Sequence, residues 1–386
     1  MKVVIIIPTY NEQGNIEKVI TTFEEEIFPK IKNHKMYILV AEDNSPDGTG
    51  EVVYELMKKW KNIEISEGKK LGLGSAYIRG MTYAIEKMDA DVLFEFDADG
   101  QHDTTKIHKF LEKIDEGYDI VIGTRYSQGG SIPKNWPLQR KAFSIIGNSL
   151  IRLILGRFTI HDWTGGFRAL KKEVFLKEKK ELTEFKGYTF QVSFLHKALR
   201  DSFTVAEVPF NMTDRKLGDS KIAPVEYIAN LLSYVIKARS KELAHSPFLK
   251  YGITGFFGYL INAISLEYFY HKGFHPAVAG AMGAELSIIW NFIINNFWAF
   301  KHHSITNPWR VLFKFPQFNL VSLGSLVIIT GVLWVGSHLF GEGYRQIYLV
   351  FAIGFFVIPY SYSMYNIFIW KRWRVRYLSK LQDFVG

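Results

Sequence analysis

The chain has 386 residues, which at about 150 residues per domain points to two or three structural units. Its 47 Lys plus Arg outnumber its 38 Asp plus Glu, but the composition changes near residue 247: residues 1–246 hold 36 basic and 34 acidic side chains, and residues 247–386 only 11 and 4. The second stretch excludes a wholly water-soluble chain, and the absence of cysteine excludes disulfides, thiolate metal sites and a cysteine nucleophile.

From the N-terminus, short apolar runs alternate with helical patterns. Val3 to Ile7, Tyr37 to Val40, Val92 to Phe96 and Ile120 to Ile122 read as strands, while Ile16 to Ile31, Val52 to Trp60 and Ile107 to Ile114 repeat apolar residues at helical spacing. The first run stops at Pro8 without a cleavage pattern, so it reads as a buried strand and not as a secretory leader. The alternation predicts an α/β domain with a mostly parallel sheet and helices on both faces. Ligands of such sheets sit beyond the carboxyl ends of the strands. There this sequence places Pro8-Thr9-Tyr10-Asn11-Glu12, then Glu42-Asp43-Asn44-Ser45-Pro46-Asp47-Gly48-Thr49, then Asp97-Ala98-Asp99-Gly100-Gln101-His102. Hard oxygen ligands of this kind suit Mg²⁺ or Mn²⁺ bridging phosphates. Leu71-Gly72-Leu73-Gly74-Ser75-Ala76 opens a helix and reads equally as a phosphate loop or as small residues for close packing on the sheet.

Two later segments read as basic amphipathic helices of the headgroup plane. Leu138 to Phe158 sets Phe143, Ile146, Leu150 and Ile154 against Arg140, Lys141, Arg152 and Arg157, and Pro224 to Leu243 sets Tyr227, Leu231, Leu232, Tyr234 and Val235 against Lys237, Arg239 and Lys241. Beyond them, Phe248 to Tyr270, Pro276 to Phe300, Phe315 to Phe340 and Ile347 to Trp370 are each long enough to cross a hydrocarbon core of about 30 Å. Four transmembrane helices are expected. Lys301, Arg310, Lys314 and the tail's Lys371, Arg372, Arg374, Arg376 and Lys380 outnumber Lys272 and Arg345 in the other loops. The positive-inside rule then puts both termini and the α/β domain in the cytoplasm, and Trp298, Trp309, Trp370 and Trp373 near the span ends fit an aromatic belt. Glu267 and Glu285 lie within the spans; they mark a lipid-headgroup or transport site, or they snorkel or pair with a neighbouring helix. The expected domains are therefore 1–222, a linker helix at 223–246, and a membrane domain at 247–386.

Taken in order, IPTYNE, AEDNSPDGT, LGLGSAYIRG, FDADGQH, GTRY, DWTGGFRAL, KGYTFQ and DRKLGDSK resemble, over about residues 1–221, the polyprenyl-phosphate glycosyltransferases, most closely the dolichol-phosphate mannose synthases. The resemblance implies a Rossmann-like, nucleotide-sugar-binding fold of the GT-A type. By matching motif, Pro8, Tyr10, Glu12, Glu42 and Asp43 would hold the nucleoside. Asp97, Asp99 and Gln101 would hold the metal, Mg²⁺ or Mn²⁺, and with Ala98 the pyrophosphate. Arg215 and Lys221 would add donor contacts, while Arg125, Arg140 and Ser144 would meet the acceptor phosphate. Asp99, Arg125 and Arg215 carry the chemistry in this layout. Glu42 stands where the family usually has a first aspartate, and Gly100 where leucine is commoner. The tail resembles the four-span GtrA-type proteins through its spans and stretches such as Phe248-Leu249-Lys250-Tyr251-Gly252 and Asn295-Asn296-Phe297-Trp298-Ala299-Phe300.

The function so implied is inverting transfer of mannose from GDP-mannose to dolichyl or polyprenyl phosphate, giving a β-linked lipid mannosyl phosphate and GDP. A lipid phosphate is already an anionic nucleophile, so no strong general base is needed. The alternatives are hexose transfer from a UDP-sugar to undecaprenyl phosphate, and a lipid-linked sugar translocase. A processive polysaccharide synthase is disfavoured, because no Q-x-x-R-W segment is present. The expected partners are the nucleotide sugar, the lipid phosphate and the bilayer, with no nucleic acid.

Overall fold

Val3, Val4, Ile5, Ile6 and Ile7 are all fully buried, so the strand they form must be covered on both faces. This is β1 (Lys2–Thr9). The computed structural model describes residues 1–182, 188–214, 224–341 and 344–373, arranged in two compact units, Met1–Arg239 and Ser240–Gly386.

After β1 come α1 (Gln13–Thr22), β2 (Lys35–Glu42), α2 (Thr49–Lys59), β3 (Ile63–Glu67), α3 (Leu73–Glu86), β4 (Val92–Glu95), α4 (Ile107–Asp115) and β5 (Ile120–Thr124). These are followed by α5 (Leu138–Leu155), β6 (Arg168–Lys171), α6 (Lys172–Leu182), α7 (Tyr188–Arg200), β7 (Val205–Pro209) and α8 (Pro224–His245). The sheet order is β3-β2-β1-β4-β6-β5-β7. Every pairing is parallel except those of β6, which runs antiparallel to both β4 and β5. The strand order reverses at β1, between β2 and β4, which is where an open α/β sheet leaves its ligand crevice.

Alternate residues of β1 feed two cores. Val4 and Ile6 face α3, α6 and α7, while Val3, Ile5 and Ile7 face α1, α2 and α4. Each such side chain contributes about 1.5–3 kcal/mol on leaving water. Close approach of α3 depends on Gly80, since a Cβ there would lie 2.6 Å from Ile6 Cγ2. Gly74 and Ala76, among the small residues at the start of α3, are buried as well, and Ala76 belongs to the sheet's core.

The helix expected over Ile16 to Ile31 ends earlier as an α-helix: α1 passes into a π turn at Phe23–Ile27 and a 3₁₀ turn at Phe28–Lys30, where Pro29 cannot continue the ladder. The two amphipathic helices fare differently. On α5, Ile151 and Leu155 are buried, while Leu138, Phe143, Ile146, Leu150 and Leu153 are exposed along its outer side. On α8, Leu231 and Val235 belong to the sheet's core and Tyr234 OH hydrogen-bonds His196 Nδ1 at 3.0 Å. Much of the apolar face expected to lie in the headgroup plane is thus occupied by the protein itself.

The second unit is helical. Ser246 caps α9 (Pro247–His271) by accepting from Leu249 N at 3.1 Å, with Pro247 at the first helical position. There follow α10 (Pro276–Ile294), α11 (Pro308–Phe340), α12 (Arg345–Phe351) and α13 (Ile358–Met364); π turns extend α10, join α12 to α13 and follow α13. The helix expected to start near Phe315 begins at Pro308, because Asn307 caps it there, its Oδ1 accepting from Trp309 N. Among the described residues, Val278–Ala299, Pro308–Phe340 and Ala352–Ile369 are long and apolar enough to cross a membrane. α9 has the length, 25 residues, but carries Lys250 and Glu267. Glu285 accepts from Asn319 Nδ2 at 3.5 Å on α11, and Glu267 lies 3.7 Å from His271 one turn along its own helix. Glu285 thus pairs with a neighbouring helix, whereas the contact of Glu267 is on its own helix.

Candidate active site

The loops after β1 and β2 are one structure. Asn11 turns with φ 56°, and the amides that follow are held by side chains of the other loop. Asn11 N donates to Ser45 Oγ, Glu12 N to Thr49 Oγ1 and Gln13 N to Asp47 Oδ2, each at 3.1 Å. Glu42 is buried and its two oxygens accept from Asn44 N and Ser45 N at 2.7 Å. It therefore shapes its own turn. Asp43 pairs with Arg79 of α3 at 2.8 Å; burial nevertheless keeps its carboxyl above the ordinary range. Lys70 Nζ stands 3.4 Å from the centre of the Tyr10 ring. Pro8 is the next-to-last residue of β1, paired with Ala41 of β2.

The segment after β4 lies on the other side of the reversal point. Asp97 keeps about a third of its side chain exposed, and Tyr77 OH donates to its Oδ1 at 2.9 Å. His102 lies against Asp97 from a second direction, Nε2 to Oδ2 3.7 Å, and stacks on Phe167 at 4.9 Å. Ala98 is buried, and so is Asp99, whose Oδ1 accepts from Gln101 N at 3.0 Å across the φ 70° turn at Gly100. Gln101 Nε2 donates to Thr213 O at 3.2 Å. Among the described residues no three His, Asp or Glu side chains gather as a ready cation cage. Asp97, Asp99 and Gln101 nevertheless offer two carboxylates and an amide oxygen beside the crevice, a hard-oxygen set that fits a divalent cation sharing its coordination with a substrate's phosphates.

The residues expected to face the acceptor surround a different seam. Arg125 donates through Nε to Asp162 Oδ2 at 2.7 Å, and through Nη2 to Asp162 Oδ1 at 2.8 Å and Thr164 Oγ1 at 2.9 Å. The Arg125 side chain is 9% exposed and that of Asp162 0%. This pair clamps the loop before β6 to the end of β5. Burial alone would raise Asp162, but Arg125 and the surrounding amides carry its carboxyl below the ordinary value. Ser144 of α5 shares a hydrogen bond of 2.5 Å with Tyr126 OH, and Asn148, one turn on, donates to Thr164 Oγ1 at 3.1 Å. Arg140 is exposed and stacks 3.8 Å over Trp136, whose Nε1 donates to Asp214 Oδ1 at 3.1 Å. Arg140 and Ser144 thus lie on α5 at i and i+4, each fixed by an aromatic residue of the preceding loop. Arg215 and Lys221 lie outside the described residues.

Several residues here escaped the sequence reading. Tyr77, Arg79, Asp162 and Gln191 sat inside motifs already quoted, yet a motif does not say which of its side chains turn inward. Glu95 is the most unusual. Fully buried at the end of β4, its carboxyl is pushed up to about 7 by burial, against the pull of Arg168 and Gln191.

A glycosyl transferase family 2 model matches residues 4–177, and a GtrA/DPMS transmembrane-domain model matches residues 250–370. A dolichol-phosphate mannosyltransferase of Pyrococcus furiosus is 34% identical over 340 residues, covering 87% of this chain and 90% of that protein. A polyprenol monophosphomannose synthase of Mycolicibacterium smegmatis is 37% identical over 224 residues, 58% of this chain and 81% of the relative. An undecaprenyl-phosphate mannosyltransferase of Micrococcus luteus is 33% identical over 63% of this chain and 98% of its own length. The N-terminal match takes in the crevice carboxylates and the clamp at Asp162, and the second match covers the helical unit. The chain belongs to the membrane-bound family 2 glycosyltransferases in which the catalytic sheet is followed by a GtrA/DPMS transmembrane domain.

Proposed function

We propose that this chain transfers mannose from GDP-mannose to dolichyl or polyprenyl phosphate with inversion, at the cytoplasmic membrane face. The observation that carries the reading is the reversal of strand order at β1, with Tyr10, Asp43 and Lys70 following β1, β2 and β3 and Asp97 and Asp99 following β4, at the carboxyl ends where such sheets take their ligands. The relatives' names supply the sugar and the lipid. The nucleoside is assigned to the first group, with Pro8 and Glu12 in the same loop and Glu42 holding the turn. The pyrophosphate is assigned to the second, with Ala98 in its backbone and Arg215 and Lys221 as further cationic contacts.

Asp97, Asp99 and Gln101 are the residues proposed to hold Mg²⁺ or Mn²⁺, which when bound would offset the pyrophosphate's charge and stabilise the leaving nucleoside diphosphate. The acceptor needs no proton removed, so the protein's task is to bring two anions together in line. Arg140 is suited to this: exposed at the start of α5, it is oriented by Trp136 and beside Ser144. Arg125 is assigned to the same acceptor side, where its bonds to Asp162 and Thr164 make it the support of the seam. The exposed apolar row of α5, flanked by Arg140, Lys141 and Arg152, suits the headgroup plane, where the lipid phosphate lies. Four spans with both termini cytoplasmic complete the reading.

The test is a parallel titration of the purified chain with GDP-mannose and UDP-glucose, followed by transfer to polyprenyl phosphate in detergent. Tight GDP-mannose binding and a lipid-linked mannose product are expected; preferential UDP-glucose binding would replace the donor.

A further inference from the structure

We propose that Asp214 is a positioning residue: it fixes Trp136 beneath Arg140, and so sets where that cation stands relative to the loop after β4. This rests on the proposed assignment of Arg140 to the lipid phosphate. β7 is an edge strand, three places from β4 in the sheet order, yet the chain that leaves it reaches the loop after β4. Thr213 N donates to Gln101 O at 3.2 Å, Thr213 Oγ1 to Gly100 O at 3.1 Å, and Gln101 Nε2 to Thr213 O at 3.2 Å. The next residue binds a different loop. Asp214 Oδ2 accepts from Asn135 Nδ2 at 2.6 Å and Oδ1 from Trp136 Nε1 at 3.1 Å. Two adjacent residues therefore tie together the loops that leave β4 and β5, strands that the sheet separates by β6.

The partners dictate the residue type. An amide Nδ2 and an indole Nε1 both donate, so the group between them must accept twice. A carboxylate does this. A carboxamide of the same shape offers one oxygen and turns an NH₂ toward the other donor. Because Asn135 and Trp136 are consecutive, the two bonds fix the orientation of the chain just ahead of α5 as well as its distance.

The tie is not what folds either loop. The turn after β4 has its own bond, from Gln101 N to Asp99 Oδ1, and α5 is anchored further along by Asn148, Ile151 and Leu155. What the tie adds is a fixed seat for Arg140. Trp136 is 6% exposed and the exposed Arg140 stacks 3.8 Å over its ring. A long cationic side chain on the surface otherwise ranges over many rotamers; the indole holds the guanidinium, and Asp214 holds the indole. In-line transfer between two anions depends on such placement, since a misplacement of about 1 Å costs on the order of a hundredfold.

The experiment is a double-variant cycle on the full chain in detergent: wild type, Asp214→Asn, Arg140→Ala and the two combined. Transfer is measured across polyprenyl phosphate concentrations, and donor affinity by calorimetry, with GDP-mannose or, should it bind better, UDP-glucose. Asp214→Asn should raise the KM for polyprenyl phosphate on the order of fivefold, the loss of one hydrogen bond to a charged group, and leave donor affinity within about twofold. In the Arg140→Ala background the same substitution should change that KM by less than about twofold, because its effect passes through the guanidinium. An equal effect in both backgrounds would mark a loop anchor only and overturn the inference, as would no effect on the wild-type background. If Arg140→Ala alters donor affinity and not the lipid dependence, the acceptor reading of Arg140 fails. The cycle is then read on donor affinity, where non-additivity keeps Asp214 as the residue that positions Arg140 and additivity removes it.

Discussion

Replacing Asp162 with alanine should be among the most damaging single changes in the sheet unit, and the reason lies in its bonds. The carboxylate accepts from Arg125 N, Nε and Nη2 and from Thr164 N and Gly165 N, at 2.7–3.3 Å. Its side chain is 0% exposed. Asp162→Ala strips these bonds and leaves a nearly buried guanidinium without its counter-charge, a loss of about 3–5 kcal/mol. In a unit of this size each kcal/mol shifts the melting temperature by about 2–4 °C, so a fall of roughly 6–20 °C is expected. Tryptophan fluorescence can follow it, because the fully buried Trp163 is the next residue. The double variant Arg125→Ala/Asp162→Ala should melt higher than Asp162→Ala alone, since it removes the stranded charge. The folded carboxyl is held below its ordinary value. Its stabilisation is therefore complete above the unfolded value of about 3.9 and lost as pH falls through the folded one, so the gap to the variant should close in acid. A single variant melting within about 2 °C of wild type at neutral pH would refute the reasoning.

Asp162 also shows where the sequence stops speaking. The strands β1, β2, β4 and β5 were legible because each is a run of apolar residues ended by polar ones. β3, β6 and β7 were not. In β6, Arg168-Ala169-Leu170-Lys171, the buried Arg168 breaks the apolar pattern, and the surrounding carbonyls of Trp163 and Gln191, with the nearby Glu95 and Asp162, explain how a guanidinium can sit inside the sheet. The crevice carboxylates at Asp97 and Asp99 could be located because they follow a strand. By contrast, Arg125 looks the same in sequence whether it faces an acceptor phosphate or Asp162, 37 residues away. For α8 the same limit applies: an apolar stripe edged with cations describes a helix on a membrane as well as one on a protein core, and the partner decides.

The remaining predictions concern the crevice, the anchor and the acceptor. Asp99→Ala should lower turnover by several orders of magnitude with little change in melting temperature, and excess chelator should abolish wild-type transfer; full activity in chelator would remove the metal role. A truncation ending at Ser246 should still bind GDP-mannose, because Tyr10, Asp43, Asp97 and Asp99 all lie in the unit Met1–Arg239; a folded truncation that fails to bind would show that the membrane unit completes the site. Arg140→Ala should lower transfer by a factor on the order of 30–1,000, from the roughly 2–4 kcal/mol of a charge-assisted phosphate contact. Donor affinity should hardly change, because Arg140 stands on Trp136 at the start of α5 and not among the crevice carboxylates. Trp136→Leu provides the control: it leaves the charge but removes the surface 3.8 Å beneath it and the Nε1–H donated to Asp214. It should raise the KM for lipid phosphate while leaving donor binding intact, in the same direction as Arg140→Ala and to a smaller degree. Weakened donor binding with unaltered dependence on lipid phosphate would move Arg140 to the pyrophosphate, because a cation that meets the acceptor must act through the acceptor's concentration.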